Sequence, residues 1–225
     1  MRKLGPASLM LALAATALSA LPAGAMQAKR ANLSDTMIAM TPAGEAVEAL
    51  ALAYRLADHA REAGDARAMI VAARMIASVP LAPSAQTASA SPDLTAQSLF
   101  AEAARLAAGD AGLLSEIEAA RVAESRGTIC KLSCAIRTVH MLPAGTSWRV
   151  RFAARGGEPL VIGVRREGAT GMDLKIFDEN ENLVCQDLSQ KATLYCRVNP
   201  IWSGPFFAVV VNHGGRDVQV AMVTN

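Results

Sequence analysis

The chain has 225 residues, of which 52% are hydrophobic, 19% are charged and 4% are aromatic. This composition is too apolar for a disordered chain, and its apolar runs are too interrupted for a bundle of membrane-spanning helices. The formal net charge is +2, and Arg2 and Lys3, which lie in a predicted leader, account for the whole excess. A mature chain without net charge gives no electrostatic indication of nucleic-acid binding.

The first 25 residues are predicted to be a bacterial secretory signal peptide. Two basic residues at 2–3 are followed by an apolar stretch of 13 residues at 9–21 and by the small residues Ala-Gly-Ala at 23–25. A membrane anchor is the alternative, but 13 residues give a helix of roughly 20 Å, shorter than the ~30 Å hydrocarbon core. We therefore expect cleavage after residue 25, a periplasmic or secreted location, and no stable membrane anchor after signal cleavage.

Residues 26–126 are predicted to form a helical domain. They hold two of the nine aromatic residues and are dominated by alanine, leucine, methionine and arginine. Alanine has the highest helix propensity, and the charged residues recur at helical spacing. Helices are predicted over 43–63, 66–78, 94–108 and 111–126.

These helices are predicted to form two hairpins, because Gly-Asp occurs at both junctions. Gly64 and Gly109 can take the left-handed conformation that ends a helix, and Asp65 and Asp110 can cap the helix that follows. The pattern resembles tetratricopeptide-type helical hairpins; because the signature aromatics and the 34-residue period are missing, an ordinary alanine-rich four-helix packing is the alternative. Three prolines among small polar residues predict a mobile linker at 79–93.

Residues 127–225 are predicted to form an antiparallel β-sandwich. They hold seven aromatic residues, all four cysteines and most of the valine. Apolar and polar residues alternate, as at 148–152, where Trp, Val and Phe are separated by two arginines. Seven or eight short strands separated by turn residues are typical of such a fold. The predicted fold class is therefore α+β, with helical hairpins followed by a jelly-roll-like sandwich as two segregated domains.

The four cysteines, Cys130, Cys134, Cys185 and Cys196, are predicted to form two disulfides, because an even number in an exported protein favours them. Three pairings are open. Cys185 and Cys196 flank a short connection between two strands that we expect to be antiparallel neighbours, which favours a bridge between them and leaves Cys130 with Cys134. The alternative is a zinc site formed by Cys130, Cys134 and His140, for which further ligands are not obvious.

Two segments of the second half carry a family resemblance. Residues 172–184 read Met-Asp-Leu-Lys-Ile-Phe-Asp-Glu-Asn-Glu-Asn-Leu-Val, and residues 202–212 read Trp-Ser-Gly-Pro-Phe-Phe-Ala-Val-Val-Val-Asn. In order and spacing they resemble bacterial pre-peptidase C-terminal domains. The resemblance covers residues 145–225 and implies a jelly-roll-like sandwich, which in that family is appended to secreted enzymes and serves in export, attachment or substrate contact. Here Glu181 replaces the family's turn glycine, and the preceding residues do not resemble a peptidase.

The acidic turn at 178–182 is the candidate metal site. Asp178, Asn180 and Asn182 match the first three ligand positions of a calcium loop, but the glycine and the glutamate that such a loop requires further on are missing. Some pre-peptidase C-terminal domains bind calcium, so the resemblance implies a set of oxygen ligands. These are Asp173, Asp178, Glu179, Asn180 and Asp187. A solvated hairpin turn without a metal is the alternative, and we expect no cofactor.

The sequence contains no evident catalytic constellation. His59, His140 and His213 each stand alone, and the nucleophile-elbow, zinc-protease, phosphate-loop and dinucleotide motifs are missing. We therefore expect an exported, non-enzymatic interaction or accessory protein of the bacterial cell envelope that binds a protein partner. The alternative is a small-ligand module that binds calcium or glycan through the β-sandwich. Candidates for a binding face are Trp202, Phe206 and Phe207, although their alternating spacing is also typical of a core.

Overall fold

The computed structural model describes residues 29–83, 95–124, 134–166 and 171–225, which contain four helices and nine strands. The helices are α1 (Pro42–Ala63), α2 (Ala66–Ser78), α3 (Ala96–Leu106) and α4 (Ala111–Glu124). The strands are β1 (Leu81–Pro83), β2 (Ala135–Leu142), β3 (Ser147–Ala154), β4 (Leu160–Arg166), β5 (Met172–Phe177), β6 (Leu183–Asp187), β7 (Thr193–Val198), β8 (Gly204–Asn212) and β9 (Val218–Thr224). The predicted α+β class, with separate helical and sheet parts, is confirmed.

The Gly-Asp junctions set the helix boundaries as predicted. Gly64 ends α1 with a φ of +66°, and the carboxylate of Asp65 accepts a hydrogen bond of 3.0 Å from the third main-chain N–H of α2. At the second junction Gly109 has a φ of +89°, and Asp110 caps the first turn of α4 in the same way, also at 3.0 Å. Because α2 packs against both α3 and α4, the two hairpins lie together. Their resemblance to tetratricopeptide repeats stays a prediction.

The strands form a sandwich of two sheets. Sheet A has the order β1-β2-β9-β4-β7, and sheet B has the order β3-β8-β5-β6. All pairs are antiparallel except β1 with β2. Alternate residues of both sheets point inward and form the sandwich core, as the alternating sequence predicts. This core includes Ile162, Val164, Leu174, Ile176, Leu194, Phe206, Val210 and Met222.

The predicted linker at 79–93 contains a strand. Leu81–Pro83 pairs in parallel with the start of β2, where Leu81 lies opposite Ala135. Leu81 also packs against the hydrophobic core of the helical part. The prediction of a mobile linker is therefore wrong for these three residues, because a neighbouring strand edge and an apolar core fix them in place. Residues 84–93 lie outside the described part of the chain.

The helical part lies on the outer face of sheet A. Helix α1 packs against β4, β7, β2 and β9. Ala135, Val161 and Val223, from three strands of sheet A, belong to the same buried cluster as the apolar residues of the helices. Gly163 of β4 permits this close approach, since a Cβ atom there would lie 3.3 Å from Cγ1 of Val47 in α1. The helices and the outer face of sheet A thus share a buried cluster that is distinct from the sandwich core, and the change in composition did not predict it.

Polar contacts fix α1 on sheet A. Arg165 of β4 has a side chain that is only 8% exposed, and it forms a bidentate ion pair with Asp58 of α1 at 2.6 and 2.9 Å. Arg165 also donates to the hydroxyl of Thr193 at 3.0 Å. Nearby, the Tyr195 hydroxyl donates to Glu48 at 2.6 Å, and burial together with this bond raises the pKa of Tyr195. Together these contacts fix where the helix lies on the sheet.

Candidate binding surface

No helix packs extensively against the outer face of sheet B among the described residues. We call it the open sheet face. Its side chains alternate with the inward-facing residues of β3, β8 and β5, so the core packing of those residues fixes their direction. The open sheet face consists of Arg149, Arg151, Lys175, Phe177, Phe207, Val209 and Val211.

Aromatic and basic side chains lie side by side on this face. Arg151, Phe207 and Phe177 occupy facing positions on β3, β8 and β5. In the adjacent row, Val209 lies between two basic residues, Arg149 and Lys175. The face therefore has an apolar centre on β8 and a basic border along β3.

Arg149 is held in place over the apolar centre. Its guanidinium carbon lies 4.3 Å from the centroid of the Phe207 ring, within the range of a cation–π contact. Its Nη2 atom donates to Glu181 at 2.8 Å. Glu181 has a φ of +62°, so the glutamate adopts the left-handed conformation for which the resembled family has a glycine. Arg151, in contrast, is exposed and forms no salt bridge within the described ranges.

A histidine–aspartate pair lies at one end of the open sheet face. His213 Nε2 is 2.8 Å from Asp173 Oδ2, and the side-chain amide of Gln190 donates to the other oxygen of Asp173 at 3.0 Å. The Lys175 ammonium is 3.9 Å from the same carboxylate. His213, which stands alone in the sequence, thus has a partner in the fold. Within the described ranges no serine, threonine or cysteine side chain is hydrogen-bonded to it to complete a catalytic triad.

Asp178, a predicted calcium ligand, is the hydrogen-bond acceptor that organises the acidic turn. Its buried carboxylate accepts bonds of 2.8 to 2.9 Å from the main-chain N–H groups of Asn32, Asn180 and Asn182 and from the side-chain amide of Asn182. Burial by itself would raise the pKa of Asp178, but these hydrogen bonds outweigh it and hold the pKa below its ordinary value. The charge therefore stabilises the turn and its contact with residue 32.

Asn32 joins the N-terminal segment, residues 29–41, to the sandwich. Its side chain is fully buried, and its Oδ1 atom accepts from the N–H groups of Ile201 and Trp202 at 2.8 and 3.0 Å. Its Nδ2 atom donates to the carbonyl of Trp202 at 2.8 Å. The Trp202 indole N–H in turn donates to Glu179. Sequence reasoning missed Asn32, because its partners lie far along the chain and an asparagine before a helix usually indicates only a loop.

The other predicted calcium ligands serve separate structural contacts. Asp187 accepts from the N–H groups of Tyr195 and Ser189 at 2.9 and 3.0 Å; burial would raise its pKa, and these bonds, with the charge of Arg55, lower it. Asn180 donates its side-chain amide to a main-chain carbonyl of the N-terminal segment at 3.2 Å. No group of three or more histidine, cysteine, aspartate or glutamate side chains in the described part of the chain is placed to hold a metal ion. Asp173, Asp178, Glu179 and Asp187 thus do not form such a group, and the alternative of a calcium site that also uses Asn180 stays a prediction.

The three candidate aromatic residues have different positions. Phe206 is 0% exposed and lies in the sandwich core, so the suggestion that it forms a binding face is wrong for the folded state. Phe207, its neighbour, points the other way and belongs to the open sheet face. Trp202 is half-buried beside the acidic turn, where its indole N–H is bound by Glu179.

The Cys185–Cys196 disulfide is confirmed, with the two Cα atoms 6.0 Å apart. The expectation that its strands are neighbours in one sheet is wrong. Cys185 lies on β6 of sheet B and Cys196 on β7 of sheet A, so the bond links the two sheets. Cys134 is also disulfide-bonded, and its predicted partner, Cys130, lies outside the described residues.

His140, named in the zinc alternative, takes part in an aromatic contact. Its ring stacks on that of Trp148, with the ring centroids 4.6 Å apart. His140 belongs to sheet A and Trp148 to sheet B, so the stack joins the sheets on the side opposite the disulfide.

Comparison with known proteins gives partial likenesses of the fold. No protein-family model matches the chain, and no curated protein sequence matches it. The chain is similar to the pre-peptidase C-terminal domain of a collagenase from Bacillus anthracis, at 15% identity and a TM-score of 0.34, over 40% of this chain and 87% of that one. It is also similar to a periplasmic inhibitor of g-type lysozyme from Aeromonas hydrophila, at 9% identity and a TM-score of 0.32, over 44% of this chain and 93% of that one.

The first likeness is to a domain of the kind that residues 172–184 and 202–212 resemble. At these TM-scores and identities, neither likeness bears on what this protein binds. None of the described helices is long and apolar enough to cross a membrane.

Proposed function

We propose that this protein is an exported, non-enzymatic binding protein of the bacterial cell envelope that contacts another protein through the open sheet face. The composition of that face supports the proposal most directly. Phe207, Phe177 and Val209 form its centre, and Arg149 and Arg151 line its β3 side. Aromatic and arginine side chains are enriched at the centres of protein interfaces and contribute most of the binding free energy there.

The open sheet face is a rigid platform. Phe207 and Val209 alternate on β8 with Phe206, Ala208 and Val210, which are all fully buried. The positions of the outward side chains are therefore fixed before a partner arrives, which lowers the entropy lost on binding. Because the helical part covers the outer face of sheet A, the outer face of sheet B is the sheet surface left for a partner among the described residues.

Side chains that often carry chemistry have structural tasks in this chain. Asp178 holds the acidic turn against Asn32, and Asp58 pairs with Arg165 between α1 and β4. Asp187 accepts the main-chain N–H of Tyr195 on β7. These three carboxylates therefore serve the stability of the fold. Export is supported by the predicted leader and by the disulfide, a bond typical of oxidising compartments.

Site-specific photo-crosslinking in the native host tests the proposal. A photoreactive amino acid replaces Val209 at the centre of the open sheet face, and the matched control replaces Val71, which is 47% exposed on α2. We expect one discrete crosslinked protein from position 209 and none from position 71. The partner, once purified, should bind the Val209→Glu variant at least ten-fold more weakly than the Val71→Glu variant, because the added carboxylate lies beside Arg149 and Lys175, competes with the partner for them and loses its hydration in the interface. Equal crosslinking at both positions would overturn the proposal.

A further inference from the structure

The edge strands of the two sheets differ in how well they are protected against pairing with a further strand. In sheet A, the edge strand β1 has three residues and contains Pro83, which has no N–H to offer a further strand. At the opposite edge, Asp187 accepts the N–H of Tyr195 on β7, and the Cys185–Cys196 disulfide ties β7 to β6, itself a short strand of five residues. Short strands, prolines and occupied N–H groups all oppose the addition of another strand.

β3 is a long edge strand without such protection. It has eight residues, pairs with β8 along its whole length, and has no strand on its other side among the described residues. Extended, unblocked edges of this kind are templates for a further strand.

The ladder shows which main-chain groups of β3 are free to pair. Just before β3, the N–H of Asn212 donates to the carbonyl of Thr146 at 2.9 Å, so these two residues form a hydrogen-bonded pair. Bonded and non-bonded pairs alternate along an antiparallel ladder, and Pro205, which has no N–H, lies opposite Ala153 in a non-bonded pair. The N–H and C=O groups that point away from β8 therefore belong to Ser147, Arg149, Arg151 and Ala153.

The side chains of β3 determine which segment fits beside it. Arg149 and Arg151 are exposed on the open sheet face. Trp148, Val150 and Phe152 point to the other side and are only partly buried at the margin of the sandwich core. An added strand would place every second residue beside the arginines and the others beside the apolar side chains. Acidic residues that alternate with apolar ones are complementary to both.

A second copy of this chain is not complementary. If β3 paired with β3 of another copy about a two-fold axis, Arg149 and Arg151 would face the same arginines of that copy. Like charges at facing positions destabilise strand pairing. The two arginines thus oppose self-association and favour an acidic segment.

We infer that β3 accepts an extended segment of the partner protein in which acidic residues alternate with apolar ones, added as a fifth strand of sheet B. The inference rests on the proposed function, because it names how a partner of the open sheet face would be held. Main-chain hydrogen bonds would hold the segment, and the alternation of Arg149 and Arg151 with apolar positions would set its sequence preference and its register.

Peptide binding to the full mature chain, with its disulfides intact, tests the inference. The probe is a fluorescein-labelled, capped nine-residue peptide in which glutamate alternates with valine, and its counterpart has lysine in place of glutamate. We expect the glutamate peptide alone to bind. The Kd should rise about ten-fold in Arg151→Glu, and it should be unchanged in Lys191→Glu, a charge reversal at an exposed lysine between β6 and β7.

Two measurements examine the main-chain contacts. Ala153→Pro removes an N–H that points away from β8 and changes no charge, and it should weaken peptide binding about ten-fold without lowering the melting temperature by more than a few degrees. Hydrogen exchange at the Arg149 and Arg151 amides should slow when the glutamate peptide is present. Equal binding of both peptides, no binding of either, or unchanged exchange at these amides would overturn strand addition. If crosslinking from position 209 persists in Ala153→Pro, the proposed function stands and only strand addition at the β3 edge is rejected.

Discussion

Replacing Asn32 by alanine tests whether the N-terminal segment is an integral part of the sandwich. The Asn32 side chain is fully buried and makes three hydrogen bonds of 2.8 to 3.0 Å to main-chain groups of Ile201 and Trp202. Alanine keeps the main-chain bond from residue 32 to Asp178 but leaves two N–H groups and one carbonyl without their partner.

The expected loss of unfolding free energy is about 3 kcal/mol. Leaving a buried polar group unsatisfied costs about 1–3 kcal/mol, and three groups are affected. We take the lower end for each group, because Ile201 is partly exposed and water can reach its end of the site. For a chain of this size, a change of that magnitude lowers the melting temperature by about 6–12 °C.

Urea unfolding followed by tryptophan fluorescence measures this loss directly, since Trp202 is in contact with Asn32. The matched control is Asn180→Ala, which removes one exposed hydrogen bond of 3.2 Å to the main chain of Arg30 and should change stability by less than about 0.5 kcal/mol. If Asn32→Ala loses no more free energy of unfolding than Asn180→Ala, the N-terminal segment is not integral to the fold and the reasoning is refuted.

Three further variants examine the packing, the disulfide and the acidic turn. Gly163→Val should lower the free energy of unfolding by about 1–3 kcal/mol, because the new side chain meets Val47. Adding Val47→Ala should restore part of this loss in thermal unfolding. Full stability of the Gly163→Val variant would contradict the close approach of α1. Replacing Cys185 and Cys196 by serine should lower the unfolding free energy in denaturant by about 3 kcal/mol for a separation of 11 residues, and no loss would show that the bond does not constrain the unfolded chain. Because hydrogen bonds lower the pKa of Asp178, its ionised carboxylate contributes fully to the free energy of unfolding above about pH 4, and this contribution is lost as the pH falls through the lowered pKa. Asp178→Ala should therefore make the free energy of unfolding less dependent on acid pH. Millimolar calcium should leave the melting temperature of the native protein unchanged, since the Asp178 oxygens already accept four hydrogen bonds, and a rise that Asp178→Ala abolishes would contradict this.

The features that were predicted correctly have local causes. Helix and strand positions follow from side-chain periodicity, and the helix ends from Gly-Asp at residues 64–65 and 109–110. Cys185 and Cys196 were paired correctly because they lie close in the sequence, but the placement of their strands in one sheet was wrong. A short connection between two strands is compatible both with a hairpin and with a step from one sheet to the other.

The features that were missed depend on distant residues. Asn32 binds groups about 170 positions away, and nothing near it in the sequence marks it as buried. The role of Gly163 is equally hidden, because a glycine inside a strand gives no sign of which helix will approach it. The open sheet face combines three strands, so that Arg149 and Phe207 become neighbours only through the strand order of sheet B.

Arg165 on sheet A and the arginines of β3 on sheet B have different partners, and this contrast supports an acidic binding partner. On sheet A, α1 covers Arg165 and supplies the carboxylate of Asp58 to it. On sheet B, no described helix covers β3, Arg149 has one exposed glutamate as its partner, and Arg151 has no salt bridge within the described ranges. A covered guanidinium without a hydrogen-bond partner is strongly destabilising, and a carboxylate is its strongest partner, although a main-chain carbonyl also serves, as that of Ile38 does for Arg197 of β7. Acidic residues at β3 would therefore be the strongest partners for Arg149 and Arg151 in a protein that covers sheet B, as Asp58 of α1 is for Arg165 of β4.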